Sequence, residues 1–271
     1  MKPPAFDYVR AESVDEVLDG LAKEGGDARV IAGGQSLMAM LNMRLARPKF
    51  LIDIMRLKEL GGIDEKNGAV TIGAGVRQAA LLVWPELTQR LNLVARALPW
   101  VGHVQTRSRG TVCGSLAHAD PSAEMPLALI ALGGEVHLRS RKKSRRVAAK
   151  DFFVGMMATA RADDELIEAV SFPCQGNSRC AFREVARRHG DFAIVACAAL
   201  ATSSGVRLVV GGVADVPTAR DWPRLDGSAL DDALNGFAYE LDARDDVHAT
   251  ARYRRDLVRA IGRDLVREVL Q

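Results

Sequence analysis

The chain has 271 residues, of which 48% are hydrophobic, 26% charged and 5% aromatic, and its formal net charge is +3. This composition excludes a disordered, collagen-like or disulfide-scaffold protein and allows one to three domains. Four cysteines in a chain of this length indicate reduced thiols and not a disulfide framework. No apolar run reaches the ~20 residues that a membrane span needs, and no apolar signal-peptide core follows the first four residues. We therefore expect a cytoplasmic protein without a membrane span.

The first quarter of the chain alternates predicted helices and strands. Ser13, with Glu16 three residues later, forms a capping box that predicts a helix through residue 23, and the glycine pair at 25–26 predicts its end. Strands are predicted over residues 29–32, 50–54 and 69–72, and a helix-like apolar stretch ends at residue 45. Asn67-Gly68 predicts a hairpin turn. The alternation indicates a mixed α/β unit.

A glycine-rich loop, Ala-Gly-Gly-Gln-Ser at residues 32–36, follows the first of these strands. Backbone N–H groups in such a loop can cradle an anion, and glycine lets a pyrophosphate come close. The loop has neither the lysine of a Walker A motif nor the spacing of Gly-x-Gly-x-x-Gly. By itself it is compatible with a phosphate cradle or with a tight structural turn.

A second candidate segment lies in the middle of the chain. A helical stretch interrupted by Pro85 is predicted over residues 79–98, and residues 102–126 then combine Gly, Ser, Thr and Asp with little periodicity. An irregular segment of this length is typical of a functional loop. Asp120 and Glu124 could accept hydrogen bonds from sugar-like hydroxyls. Asp120-Pro121 is also typical of a helix cap with proline at the first helical position.

The densest run of charge, residues 139–146, allows two interpretations. Six of its eight residues are Lys or Arg, a pattern that can bind nucleic acid. However, it continues an alternating strand predicted over residues 135–139, and no aromatic residues are interleaved to stack on bases. We therefore predict a solvated turn between strands and no nucleic-acid partner.

A domain boundary is predicted near residues 173–178. The remaining predicted strands are 165–172, 181–185 and 206–211, and the remaining predicted helices are 124–132, 228–241 and 248–270. Neither the cysteines nor the histidines are spaced as ligands of an iron–sulfur cluster or a metal ion. No convincing acid–base pair stands out. We predict no metal site and no catalytic residue on this chain.

Three segments together resemble the FAD-binding medium subunit of the molybdenum hydroxylases, the group that contains carbon monoxide dehydrogenase and xanthine dehydrogenase. The first is Ala-Gly-Gly-x-Ser at residues 32–36. The second runs from Thr111 to Glu124 and matches Thr-x-Gly-Gly-x followed by His-Ala-Asp-Pro and an acidic residue. The third, Arg-Arg-His-Gly-Asp-Phe-Ala at residues 187–193, resembles a paired-arginine segment before a helix. Their order and spacing agree, and the resemblance covers the whole chain.

One residue departs from the family pattern. Cys113 stands where the first glycine of the usual pair is found. Because cysteine is small, it can be a tolerated replacement. A thiol beside a flavin could alternatively be reactive, or attach to it covalently.

The resemblance implies an α+β fold in two parts. A two-subdomain FAD-binding domain of the PCMH type would occupy residues 1–176, with subdomains of about 1–58 and 59–176. A small α+β domain of the CO dehydrogenase flavoprotein type would follow over residues 177–271. FAD would lie between the two subdomains.

The resemblance also implies the cofactor site. The pyrophosphate would lie on the two glycine-containing loops, Asp120 and Glu124 would hold hydroxyls, Ile167 would pack on the flavin, and Arg183 occupies the position of a cofactor-contacting lysine. The implied FAD-binding residues are Val30, Ile31, Ala32, Gly33, Gly34, Gln35, Ser36, Leu37, Val101, Thr111, Val112, Cys113, Gly114, Ser115, Ala117, Asp120, Glu124, Ile167 and Arg183.

The implied function is electron transfer within a multi-subunit oxidoreductase. Substrate would be hydroxylated at a molybdopterin centre on a large subunit, and [2Fe–2S] clusters on a small subunit would pass electrons to FAD on this chain and then to an external acceptor. The complex would be a dimer of heterotrimers. Two alternatives stay open: a stand-alone FAD-dependent oxidoreductase, and a scaffold subunit that has lost its flavin through Cys113. The sequence fixes neither the substrate nor the acceptor.

Overall fold

The N-terminal part of the chain forms a small parallel sheet, as seen in a computed structural model that describes residues 2–271. Met1 lies outside the described residues. The elements in chain order are β1 (Asp7–Arg10), α1 (Val14–Glu24), β2 (Ala28–Ile31), α2 (Leu37–Asn42) and β3 (Phe50–Asp53). β3 lies between β1 and β2 and runs parallel to both. As the sequence predicted, the Ser13 hydroxyl accepts the N–H of Glu16 at 3.1 Å, and α1 ends at Gly25, whose φ is +52°.

The middle of the chain forms a five-stranded antiparallel sheet with helices inserted between its strands. It comprises β4 (Ile63–Lys66), β5 (Ala69–Gly73), α3 (Gln78–Leu82), α4 (Leu87–Arg90), α5 (Asn92–Ala97), α6 (Val104–Arg109), α7 (Val112–His118), α8 (Glu124–Leu132), β6 (Glu135–Arg139), β7 (Ser144–Ala148), α9 (Ala149–Phe152), β8 (Phe153–Gly155), β9 (Ala158–Thr159) and β10 (Leu166–Pro173). The strand order is β4-β5-β10-β6-β7, and β8 and β9 pair separately. The long strand β10 therefore lies at the centre of this sheet.

The last part of the chain is a four-stranded antiparallel sheet covered by two helices. Its elements are β11 (Cys180–Val185), β12 (Val195–Thr202), β13 (Gly205–Gly211), β14 (Thr218–Trp222), α10 (Gly227–Glu240) and α11 (Ala251–Leu270). On β12, Val195, Cys197 and Ala199 pack with the two helices. Their neighbours Ala196 and Ala198 belong to the core shared with the preceding part of the chain. The sheet is thus buried on both faces.

The helical stretch predicted over residues 79–98 and its interruption at Pro85 are confirmed, but the stretch is divided a second time and forms three short helices, α3, α4 and α5. Pro85 lies between the first two, and Leu91, with φ −131° and ψ 59°, separates the second from the third. The segment 102–126 is also more regular than predicted, since it contains α6 and α7. Helices of six and seven residues are too short to show a clear period.

The basic run at residues 139–146 is confirmed as the turn between β6 and β7. Its arginines pair within the chain: Arg141 with Asp19, and Arg145 with Glu165.

In residues 2–271 we find no helix of the length and apolarity that crossing a bilayer requires. The predicted boundary between residues 176 and 177 falls in the segment between β10, which ends at Pro173, and β11, which begins at Cys180. The domain limits themselves stay predictions.

Candidate functional site

A cavity of about 920 Å³ lies where the N-terminal sheet, the middle sheet and the last domain meet. Its volume is within the range of sites for small molecules and cofactors. The parallel strands of the N-terminal sheet all point their carboxyl ends to one edge, and the loop that follows β2 opens into the cavity from there. The cavity is therefore built at the edge where α/β sheets usually bind ligands.

The first glycine-rich loop is pressed against the second at the level of the backbone. A Cβ added at Gly33 would lie 2.1 Å from the carbonyl oxygen of Arg109 and 2.7 Å from the Cα of Gly110, so no side chain fits there. Gly34 has φ +72°, a conformation that favours glycine. The two loops thus form one cradle whose wall is backbone.

The second loop is held by a bridge to the residue that precedes α3 and by its own helix cap. Thr111 forms an isolated β-bridge with Arg77, and its hydroxyl accepts the N–H of Gly114 at 3.0 Å. This N-terminal cap starts α7, which directs Gly114, Ser115 and Ala117 to the cavity. The sequence motif Thr-x-x-Gly-Ser is therefore a capped helix start whose small residues leave room for a ligand.

Two carboxyl groups lie in the cavity wall after α7. The predicted helix cap at Asp120 is wrong: α8 begins at Glu124, and Asp120 instead accepts the N–H of Ser122 at 2.8 Å. Glu124 is only 6% exposed. Burial raises the pKa of Glu124 to about 7; the Asp120 charge also raises this pKa, whereas the N–H of Glu124 itself and the Arg107 cation lower it. An acid with a pKa near neutrality is poised to change its charge at this site.

The structure brings together most of the residues that the sequence analysis proposed for FAD. Those that line the cavity are Val30, Ala32, Gly33, Gly34, Gln35, Ser36, Leu37, Val101, Thr111, Cys113, Gly114, Ser115, Ala117, Asp120, Glu124 and Ile167. Three do not. The Ile31 side chain lies against Gly34, 3.6 Å from the position of an added Cβ, and Val112 is fully buried in the core. Arg183 lies outside the cavity wall and pairs at 2.9 Å with Asp264 of α11.

Cys113 is an inert thiol in this arrangement. It is the second residue of α7, where its backbone is helical, so the position makes no demand for glycine. Its S–H donates to the carbonyl oxygen of Ile72 at 3.6 Å, and burial raises the pKa of this thiol to about 12. Because the thiolate is the reactive form, the structure favours a tolerated small residue over covalent attachment.

We expect Cys113 to escape alkylation in the folded protein. Iodoacetamide at pH 8, followed by peptide mass spectrometry, should modify Cys174, the least buried of the four cysteines, and leave Cys113 unmodified. Cys174 is thus the internal positive control, and a denatured sample should be modified at all four positions. Modification of Cys113 at the rate of Cys174 would contradict this assignment.

Two arginines that the sequence analysis did not select also line the cavity, Arg29 and Arg161. Each donates to nearby backbone carbonyl oxygens, and each is 3.9 Å from the exposed carboxylate of Asp163. Burial lowers the pKa of Arg161, and the Arg29 cation lowers it further because the two like charges are close. No local motif marks isolated arginines of this kind, so they could not be predicted from the sequence.

The third motif of the sequence analysis also reaches the cavity, through Gly190, Asp191 and Phe192. Phe192 is 67% exposed, which is unusual for a phenylalanine. Arg188 of the paired arginines is a surface residue that pairs with Asp191 at 3.3 Å. Within residues 2–271, no group of His, Cys, Asp and Glu side chains is arranged to hold a metal ion.

Comparisons with known proteins agree with this architecture. Residues 4–175 match the family model of the FAD binding domain in molybdopterin dehydrogenase, and residues 180–269 match that of the CO dehydrogenase flavoprotein C-terminal domain. The chain is 38% identical to the 6-hydroxypseudooxynicotine dehydrogenase complex subunit alpha of Paenarthrobacter nicotinovorans, over 96% of this chain and 93% of that protein. It is 35% identical to the carbon monoxide dehydrogenase medium chain of Hydrogenophaga pseudoflava, over 83% of this chain and 80% of that one.

Solved structures give the same result. Carbon monoxide dehydrogenase from Hydrogenophaga pseudoflava superposes with a TM-score of 0.94 at 29% identity, covering 100% of this chain and 99% of the other. Quinoline 2-oxidoreductase from Pseudomonas putida 86 superposes with a TM-score of 0.93 at 33% identity, covering 99% and 98%.

Proposed function

Because the chain belongs to the family of FAD-binding medium subunits of molybdenum hydroxylases, we propose that it carries electrons from the [2Fe–2S] clusters of a partner subunit through FAD to an external acceptor. The protein is an FAD-binding subunit of an oxidoreductase, and its fold is the α+β arrangement of that family. The single observation that supports the electron-transfer role best is the backbone cradle at Gly33, which opens into the cavity where the pyrophosphate of FAD would bind.

The residues present fit FAD. The cradle between residues 32–36 and 110–115 is a place where a Cβ would clash and a pyrophosphate can approach backbone N–H groups. Asp120 and Glu124 would accept hydrogen bonds from hydroxyls, and Ile167 would pack on the flavin ring. When bound, FAD supplies the ability to carry one or two electrons. The chain's own residues bind it, orient it and set the charge around it.

The stand-alone oxidoreductase is the weaker alternative. Relatives that match over most of their length are named as a subunit or a medium chain of a larger enzyme. A flavin-less scaffold is also disfavoured, since Cys113 leaves the cradle open. We place this chain in a complex with a large molybdopterin-binding subunit and a small [2Fe–2S] subunit, assembled as a dimer of heterotrimers in the cytoplasm. Its relatives differ in the substrates that they are named for, and we assign substrate choice to the large subunit.

The proposal is tested by the visible absorption spectrum of the purified chain before and after acid precipitation. We expect a flavin spectrum that moves entirely into the supernatant, where mass spectrometry identifies FAD. Colour that stays in the pellet would contradict the non-covalent site. A colourless chain that takes up no FAD, alone or with its partner subunits, would overturn the function.

Arg29 and Arg161 are expected to contribute to binding through the phosphates of FAD. Replacing either with glutamine should weaken FAD binding about tenfold, the loss expected for one charge-assisted hydrogen bond, and leave riboflavin binding unchanged, since riboflavin has no phosphate. Isothermal titration with both ligands measures the difference. Arg252→Gln on the exposed face of α11 is the matched control. Equal losses for FAD and riboflavin would show that the arginines act on the fold and not on the phosphates.

A further inference from the structure

One buried amide in the cavity wall has no role in the fold itself. Gln78 is the first residue of α3, lines the cavity and is only 3% exposed. Its Oε1 atom has no hydrogen-bond partner within residues 2–271. Burying a polar group without a partner is destabilising, and the large majority of buried amides in proteins are therefore hydrogen-bonded. The amide of Gln78 is thus available to a group that the chain does not supply.

The backbone of Gln78 is fixed to the second loop independently of its side chain. The N–H of Gln78 donates to the carbonyl oxygen of Gly110 at 2.8 Å. On the other side of the β-bridge that holds this loop, the N–H of Val112 donates to the carbonyl oxygen of Val76 at 3.1 Å. Because both bonds join main-chain atoms only, they hold the start of α3 against the loop whichever side chain occupies position 78.

The Gln78 amide lies where the two loops of the cradle meet. Its Oε1 would be 3.0 Å from a Cβ on Gly110, and the Cα of Gly110 would be 2.7 Å from a Cβ on Gly33. Gly110 is therefore in contact with the first loop and with this amide. Because Gln78 also lines the cavity, the small exposed part of this residue faces the space for a ligand. The amide thus borders the backbone cradle proposed for the pyrophosphate.

An amide group can donate as well as accept a hydrogen bond. Nε2 carries two protons, Oε1 has two lone pairs, and the two ends have nearly the same shape. The ends exchange places when the group turns by half a rotation, so the bound group determines which end faces it. A pyrophosphate oxygen only accepts hydrogen bonds, so Nε2 would face it. The amide would then add one neutral donor to the backbone N–H groups of the cradle.

We propose that Gln78 is a further cofactor-binding residue, whose Nε2 donates a hydrogen bond to a pyrophosphate oxygen of FAD. The inference rests on the proposed function, in which FAD places its pyrophosphate at the cradle. Without FAD the unpartnered amide destabilises the fold, and with FAD it stabilises the complex. This opposition distinguishes Gln78 from a residue with a structural role, whose removal would weaken the fold.

The first test needs no FAD and compares two buried glutamines. Gln78→Met keeps the size of the side chain and removes the amide, so the melting temperature of the FAD-free full chain should equal that of wild type or rise. Gln175 is also buried, but its Oε1 accepts the N–H of Leu93 at 2.6 Å, so Gln175→Met should lower the melting temperature. A fall in Gln78→Met as large as that in Gln175→Met would show a structural role and overturn the inference.

The second test determines which part of FAD the amide contacts. The full chain is titrated with FAD by flavin fluorescence, alone and with ADP as a competitor that has the diphosphate but no flavin. Gln78→Met should weaken the binding of FAD and of ADP by the same factor, about tenfold, the effect of one charge-assisted hydrogen bond. Gln89→Met on α4, where the side chain is exposed, is the matched control and should change neither affinity.

The outcomes separate the inference from the proposed function. Unchanged FAD affinity in Gln78→Met would overturn the contact, and a loss for FAD without a loss for ADP would overturn its assignment to the pyrophosphate. If the wild-type chain takes up no FAD, alone or with its partner subunits, the proposed function fails and the inference fails with it. The melting series would still show whether the fold uses the amide of Gln78.

Discussion

Replacing Gly33 with alanine is expected to abolish the retention of FAD through purification. The added methyl group would lie 2.1 Å from the carbonyl oxygen of Arg109 and 2.7 Å from the Cα of Gly110. Neither atom belongs to a flexible side chain, so the two loops must separate. Forced overlaps of this kind cost about 1–3 kcal/mol even when the surroundings can relax. The separation also displaces the N–H groups that would face the pyrophosphate, so we expect FAD binding to weaken about 100-fold or more.

The matched control is Gly236→Ala on α10. A Cβ at Gly236 meets nothing within 4 Å, so the same chemical change is made without an overlap. Gly236→Ala should retain FAD fully and melt at or slightly above the wild-type temperature, because alanine is favoured over glycine inside a helix. The measurements are flavin content by absorbance and FAD affinity by fluorescence titration. Full flavin retention in Gly33→Ala would show that the cradle is not the cofactor site.

Much of the site was visible in the sequence because its motifs are short and local. Gly33 and Gly34 mark a turn that only glycine can make, and Thr111 with Gly114 marks a capped helix start. Motifs of this kind depend only on residues that are close in the sequence, so they can be recognised without knowledge of the fold. The resemblance to the family then supplied what spacing alone left open, namely that the two loops meet.

The residues that sequence reasoning missed are those placed by long-range packing. Arg29 and Arg161 come from widely separated parts of the chain and meet only around the cavity. Arg183 shows the opposite error: its position in the chain suggested a cofactor contact, but strand alternation turns it to the outer face, toward Asp264. A shift of one residue along a strand moves a side chain to the other face of the sheet. The sequence indicates which face a side chain lies on only when apolar and polar residues alternate clearly along the strand.

The same reasoning explains which strands were predicted. The alternating Glu135–Arg139 was found, whereas Val195–Thr202 was not, because it is buried on both faces and is apolar almost throughout. The short edge strands Asp7–Arg10, Ile63–Lys66, Ser144–Ala148 and Thr218–Trp222 were missed as well. They are largely exposed and polar, so their pairing depends on the neighbouring strand and not on their own pattern.

Arg254 on α11 is expected to be the most important single ionic residue for the stability of the last domain. It is 6% exposed, and its guanidinium donates to the carbonyl oxygens of Ile194 and Gly212 at 2.6 and 2.7 Å and to Asp246 at 2.6 Å. One side chain therefore joins α11 to the residue that precedes β12 and to the residue that follows β13. Gly212 in turn donates to Pro121, so this network connects to the segment before Glu124.

Arg254→Leu should lower the free energy of unfolding by about 2–4 kcal/mol, because it leaves the carbonyl oxygens of Ile194 and Gly212 without this donor, whereas Asp246 is 46% exposed and is solvated. Denaturant unfolding followed by circular dichroism measures this loss. Arg252→Leu, two residues earlier on the exposed face of the same helix, is the control and should change stability by less than about 0.5 kcal/mol. Arg254→Lys should recover only part of the loss, since an ammonium group lacks the forked donors that reach all three oxygens. A full recovery by lysine would show that the charge alone, and not the three-way geometry, holds α11 against Ile194 and Gly212.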